Sequence, residues 1–230
     1  MSKMKPIKDH IYNYKFLLYF AMLYITLDLA SNVVAYREVS LGFALFPGAT
    51  FIYPLTYTLA DIITEIYGYA TMRKVIWAGI ICDFVFSLAV LAVLKLPYPN
   101  NWELEPAYVT VLSNLLRLNV GCAVALLVGA FANAYLISRW KIYVRGRIFW
   151  LRSLVSSALG EAVYLLIAGV ITFYGVVPTD ELVKLLSFNY MFKLAYNCVA
   201  VIPASIIVVL LKKYEAATEQ TSFSFNPFKL

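Results

Sequence analysis

Apolar residues fall along the chain in six long runs, at about 14–35, 43–67, 75–96, 111–137, 148–177 and 185–211. Short stretches rich in charge, proline or asparagine separate them. A helix that crosses a bilayer needs about 20 predominantly apolar residues, and each run is long enough. The pattern predicts an all-α integral membrane protein: a six-helix transmembrane bundle within residues 1–213, followed by a polar cytoplasmic tail at 214–230. The first run follows Lys3, Lys5, Lys8 and Lys15, as the core of a secretion signal would. It is too long for one and ends without a small-residue cleavage site, so it is expected to stay as a span. The second run carries Pro54, which is expected to interrupt its helical hydrogen-bond ladder. The third ends at Pro97-Tyr98-Pro99-Asn100-Asn101, and the longest polar connection follows, with Trp102, Glu103 and Glu105. Pro203 lies inside the sixth.

Composition agrees with this reading and narrows the function. The 230 residues are 62% hydrophobic and 14% charged, whereas soluble domains are about 45–50% apolar and about 25% charged. An ordinary soluble domain, a disordered chain and a nucleic-acid-binding domain are excluded on that ground. The net charge of +6 follows membrane topology instead: counting Lys15 and Arg152 at the starts of the first and fifth runs, fourteen of the nineteen Lys and Arg residues fall on the side that holds the N-terminal stretch, the connection between the second and third runs, the connection between the fourth and fifth, and the stretch after the sixth. Basic loops stay cytoplasmic, so an even number of spans with both termini cytoplasmic is expected. Cys82, Cys122 and Cys198 sit in apolar runs without metal-ligand spacing, and the single histidine, His10, precedes the first run. No metal and no cofactor are expected.

The informative residues are those that lipid disfavours. An Asp at mid-helix costs about 2.5–3.5 kcal/mol on the insertion scale, against about 0.3–0.6 gained by a Leu or Val. Such residues persist where they line a cavity or pair with one another. Asp28, Ser31 and Asn32 share one helix face, as do Asp61, Thr64 and Glu65. Asp83 lies in the third run; Arg117, Asn119 and Asn133 lie in or near the fourth. Ser153, Ser157 and Glu161 form a stripe in the fifth, with Arg152 beside it, and Asn189, Lys193 and Asn197 form another in the sixth. Turned inward, these stripes make a hydrated or ligand-filled interior. Asn32, Tyr57, Asp61, Glu65, Glu161, Lys193 and Asn197 are the candidate substrate-binding residues, with Asp61 foremost because it follows Pro54. Blander readings stand beside these: Glu65 at a helix end in water, Asp28 near an interface, Glu161 and Lys193 as a structural ion pair. Tyr53, Tyr57, Tyr164 and Tyr196 lie deep enough to stack on a flat ligand or simply to fill the core.

Several of these residues fall in one recognisable order. Tyr53-Pro54-Leu55-Thr56-Tyr57, then Asp61-Ile62-Ile63-Thr64-Glu65-Ile66-Tyr67-Gly68-Tyr69, then Arg73 and Trp77, resembles the signature of the queuosine precursor transporter family, also called vitamin uptake transporters. Asn32 with Ala35 and Arg37, Arg152-Ser153 with Gly160-Glu161, and Lys193 with Tyr196 and Pro203 agree in order, so the resemblance covers roughly residues 20–215. It implies a bacterial inner-membrane importer of 7-cyano- or 7-aminomethyl-7-deazaguanine or a related base, serving tRNA queuosine modification. It also implies a likeness to the substrate-binding components of vitamin importers. Where the family usually carries Asp-Thr after Gly160-Glu161, this chain has Tyr164-Leu165.

The residues fit such a cargo. A deazaguanine is flat and presents a carbonyl and adjacent N–H donors, which carboxylates and amides can meet. Two other functions stay open on sequence alone. One is a binding subunit energised by a partner, since the chain has no G-x-x-x-x-G-K-[ST] nucleotide loop of its own. The other is an intramembrane enzyme using Asp61 and Asp83. The expected partners are a nucleobase-like small molecule and the bilayer, with no nucleic acid; a homodimer and an energising partner both remain open.

Overall fold

A single short helix, buried along nearly its whole length, sits at the centre, and the longer helices pack around it. The computed structural model describes residues 14–42, 45–99, 101–145, 148–173 and 178–214. The expected tail beyond Tyr214, the lysines at 3, 5 and 8, His10, Asn100, Arg147 and the last residues of the fifth run lie outside the described residues.

In chain order, α1 (Leu17–Val34) leads to a two-stranded hairpin of β1 (Glu38–Ser40) and β2 (Leu45–Pro47), antiparallel with Val39 opposite Phe46. A 3-10 turn, Gly48–Phe51, then enters the central helix α2 (Tyr53–Tyr67). α3 (Tyr69–Leu94), α4 (Glu105–Leu112), α5 (Leu115–Tyr143), α6 (Phe149–Phe173) and α7 (Thr179–Tyr214) complete the chain.

The second predicted span is where sequence and structure part. Residues 43–67 do not form one helix. Their first part is strand and 3-10 turn, and α2 has 15 residues, about 22 Å at 1.5 Å per residue. That is short of a hydrocarbon core about 30 Å thick. Among the described residues, five stretches are long and apolar enough to cross a membrane: α1, α3, Glu105–Tyr143 (α4 with α5), α6 and α7. Pro54 does not interrupt α2; it occupies the first turn, where its missing N–H would be unpaired in any case.

Irregular backbone at membrane depth is tolerated only where protein covers it, and here α1 does so. The Gly48 N–H donates to the Arg37 carbonyl at 2.7 Å. A Cβ on Gly48 would stand 2.5 Å from the Val34 carbonyl oxygen, so the approach needs glycine. At the other end of α2, Gly68 alone separates it from α3 and takes φ +84°, a conformation glycine reaches at little cost.

Around α2 the usual order of a soluble protein is reversed. Leu18, Tyr19 and Met22 of α1, Ile81 and Val85 of α3, and Ile202 and Ile206 of α7 face outward, while Asp61, Glu65, Asp83, Arg152, Glu161 and Lys193 are buried. Lipid as the surrounding solvent accounts for both halves of this pattern. α5 and α6 come close together at Gly129 and Gly160, where a Cβ on either would stand within 2.9 Å of the other helix's backbone oxygen. Small residues permit such crossings, and this one sets Asn133 of α5 beside α6.

Candidate functional site

The buried polar residues form a column along α2. Its basic end lies at the α5–α6 and α7 termini; its other end lies under the hairpin. At the basic end Glu65 is 1% exposed, so the reading that left it in water does not hold. Its Oε2 accepts from Arg152 Nη2 at 3.0 Å, and its Oε1 accepts from Lys212 Nζ at 2.7 Å. Lys141 Nζ stands 4.0 Å from Oε1 and donates to the Glu65 main-chain oxygen at 2.5 Å. Arg152 also donates to the Ile137 carbonyl at 3.0 Å. One carboxylate thus ties α2 to α5, α6 and α7. Lys141 and Lys212 read in the sequence as charges between or after the apolar runs, and Arg152 as one at the start of the fifth; the structure carries all three into helices, and Arg152 is 2% exposed.

One turn further along α2, Asp61 is 1% exposed. Asn133 Nδ2 donates to its Oδ1 at 2.8 Å, Ser157 donates to its Oδ2 at 3.0 Å, and Ser153 donates to the same oxygen. The serine stripe of α6 therefore meets the acid of α2, with one acceptor position of Asp61 left open. Asp61, Ser153, Ser157 and Asn197 border a void of about 10 Å³.

Glu161 continues the α6 stripe. It is fully buried, lies beside Lys193 and Asn197 of α7 and Tyr57 of α2, and accepts no hydrogen bond at either oxygen among the described residues. Lys193 Nζ sits 4.9 Å from the Tyr53 ring centre and 5.5 Å from that of Tyr164. Those two rings stack at 4.7 Å and 25°. The Tyr164 hydroxyl donates to Cys122 Sγ at 3.1 Å.

Above this layer a cavity of about 90 Å³ lies beneath the hairpin. Asn32, Thr50, Tyr53, Tyr164, Asn189 and Lys193 give it its polar and aromatic wall, and Thr50 Oγ1 donates to Asn189 Oδ1 at 3.1 Å. Of the residues expected from sequence, Asn32 and Lys193 line this cavity. Glu161 lies next to Lys193, with Tyr57 and Asn197 beside Glu161; Asp61 and Asn197 border the smaller void, and Glu65 belongs to the basic end. Thr50, Tyr53, Tyr164 and Asn189 complete the site. Asn189 stood in the sequence on one stripe with Lys193, and that spacing was its signal. Thr50 had none, because a 3-10 turn obeys no helical period.

Asp61 and Asp83 do not meet. Asp83 accepts from Asn32 Nδ2 at 2.9 Å, whereas the partners of Asp61 are Asn133, Ser153 and Ser157. A two-aspartate catalytic pair would need both acids on one water, and this arrangement does not supply it.

Comparison with known proteins agrees with the architecture. The family model described as "Putative vitamin uptake transporter" matches residues 47–208, from the end of the hairpin to the last third of α7. A curated relative, the "Probable queuosine precursor transporter" of Bacillus subtilis (strain 168), is 24% identical over 149 residues, which are 64% of this chain. The match spans 65% of that relative's own length. No solved structure matches the chain.

Proposed function

The chain belongs to the vitamin uptake transporter family, and from that premise we propose that it carries a 7-deazaguanine of the queuosine-precursor type into a bacterial cell across the inner membrane. The observation that carries this reading is the Glu161–Lys193 pair under the stacked tyrosines. The recognition edge of a guanine-type base presents, in order, a carbonyl acceptor, an N–H donor and an amino donor. Its complement is one donor followed by two acceptors. Lys193 Nζ and the two free oxygens of Glu161 are that set, and a carboxylate accepts two parallel N–H bonds well. Tyr53 and Tyr164 supply flat faces for the ring. Tyr164 stands where the family usually has a polar residue, so here an aromatic face serves in place of a hydrogen bond.

The rest of the column follows the cargo. Asn32 borders the entry cavity, and Tyr57 and Asn197 flank Glu161. Asp61 offers its open acceptor position one step further, and Glu65 with its three cations closes the basic end. The basic end faces the cytoplasm, as the distribution of Lys and Arg requires. Reporters fused at Leu230 and within residues 102–105 should then report opposite sides; a shared side would reverse this orientation.

Thermal unfolding of the purified protein tests the cargo. A ligand at 100 times its dissociation constant adds about 2.7 kcal/mol of stability. 7-Cyano- and 7-aminomethyl-7-deazaguanine should raise the transition, whereas adenine, thiamine and riboflavin should leave it in place. Stabilisation by a vitamin and not by either deazaguanine would contradict the reading.

A further inference from the structure

Glu65 is met by three cations. Asp61, one turn away on α2 and 1% exposed, pairs with none among the described residues. Its partners are neutral: Asn133 Nδ2 donates to Oδ1 at 2.8 Å, and Ser157 at 3.0 Å and Ser153 both donate to Oδ2. Hydrogen bonds donated to a carboxylate are strongest when it is ionised, so this set holds the charge in place without cancelling it. Buried charges are paired or bound to a metal ion.

The void beside Asp61 has the chemistry for such an ion. It measures about 10 Å³ and lies between Thr58 and Asp61 of α2, Ser153 and Ser157 of α6, and Asn197 of α7. That is room for about one water-sized sphere. Each hydroxyl on its wall has given its hydrogen elsewhere: Ser153 and Ser157 to Asp61, and Thr58 to the Pro54 carbonyl at 3.3 Å. What remains to face the void is lone pairs. Asn197 is 6% exposed, and its Nδ2 has no partner, so the amide is free to turn its oxygen inward as a further ligand. An all-oxygen shell suits a hard cation. Among the described residues no group of three His, Cys, Asp or Glu could hold a metal. One carboxylate among neutral oxygens therefore balances a single positive charge and fits a monovalent ion.

We propose that Asp61, Ser153, Ser157, Thr58 and Asn197 bind a sodium ion where α2, α6 and α7 meet. The ion replaces the missing counter-charge and draws the hydroxyls of α6 and the amide of α7 onto α2. Ser157 lies one turn from Glu161 on α6, and Asn197 one turn from Lys193 on α7. The ion thus fixes the spacing of the two helices that carry the cargo's recognition edge. Sodium favours cargo, and by reciprocity cargo favours sodium. The ion holds the open acceptor position of Asp61 until cargo arrives there. The linkage to cargo rests on the transport reading; the cation site does not.

Thermal unfolding of the purified full chain tests the site. At constant ionic strength, replacing choline chloride with sodium chloride should raise the transition to a plateau, and potassium, the larger ion, should raise it less. In Asp61→Asn and in Ser157→Ala the sodium concentration needed should rise at least tenfold, equivalent to about 1.4 kcal/mol. Ser157→Ala keeps the carboxylate and decides the matter if Asp61→Asn does not fold. A rise that choline or potassium matches, or one that Ser157→Ala leaves unchanged, would overturn the site and leave the void to a water molecule. Titration calorimetry then tests the linkage: 7-cyano-7-deazaguanine should bind at least about fivefold more tightly in sodium than in choline, the lower end of typical couplings between sites. Equal affinity in the two salts would overturn the linkage. A sodium-specific rise lost in Ser157→Ala, with no binding of either deazaguanine by the parent, would uphold the cation site and fail the transport reading instead.

Discussion

Glu65→Gln should destabilise the protein by about 3–5 kcal/mol, the cost of removing one partner from a buried ion pair. Arg152 loses its carboxylate at 3.0 Å while remaining 2% exposed, so its charge stays buried with only part of its hydrogen bonding intact. At this chain length the loss corresponds to a thermal transition lower by roughly 6–20 °C. Lys212→Met should cost under about 1 kcal/mol, because the Lys212 side chain is 34% exposed and such pairs are screened. Combining Glu65→Gln with Arg152→Met should recover part of the loss. Thermal unfolding of the three variants in detergent checks this order. If Glu65→Gln and Lys212→Met are equally mild, the cluster does not hold the basic end together.

Glu161→Gln has the second large effect, and it falls on specificity. Gln keeps the shape but turns one acceptor oxygen into a donor, which then opposes the amino group of the base. Hydrogen bonds to a charged partner contribute about 1.5–3 kcal/mol, so affinity for 7-aminomethyl-7-deazaguanine should fall about 10- to 100-fold. A 7-deazaxanthine carries a carbonyl in place of that amino group and should bind the variant better than it binds the parent. Titration calorimetry with both bases separates a changed recognition edge from a damaged fold: equal losses for both would assign Glu161 a packing role.

Much of this arrangement was legible in the sequence because lipid makes polar residues conspicuous. The stripe Ser153–Ser157–Glu161 was readable as one helix face, and the structure points its serines at Asp61 and continues it to Glu161. The stripe Asn189–Lys193–Asn197 likewise runs from the hairpin-side cavity to the void beside Asp61. What the pattern could not show was that the second apolar run is only partly helical. Strand, 3-10 turn and buried helix are all apolar when protein surrounds them, and hydropathy cannot distinguish burial in protein from burial in lipid. The same blindness misplaced Pro54. A proline near the middle of a run reads as a break, but once the helix begins at Tyr53 it lies in the first turn. Distance from Pro54 therefore does not single out Asp61; its three hydrogen-bond donors do. Arg152, Lys141 and Lys212 were legible only as charges near helix ends; their convergence on Glu65 depends on long-range packing of four helices, which no local spacing encodes.

The central claim is that this chain itself moves a guanine-type base, recognised by Glu161 and Lys193. Uptake of radiolabelled 7-aminomethyl-7-deazaguanine into proteoliposomes containing only the purified protein tests it most directly. The account predicts uptake above protein-free vesicles, competition by unlabelled 7-cyano-7-deazaguanine but not by adenine, and at least a tenfold lower rate in Glu161→Gln. Uptake that appears only after a separate ATP-hydrolysing partner is added, or that adenine suppresses equally, would contradict it.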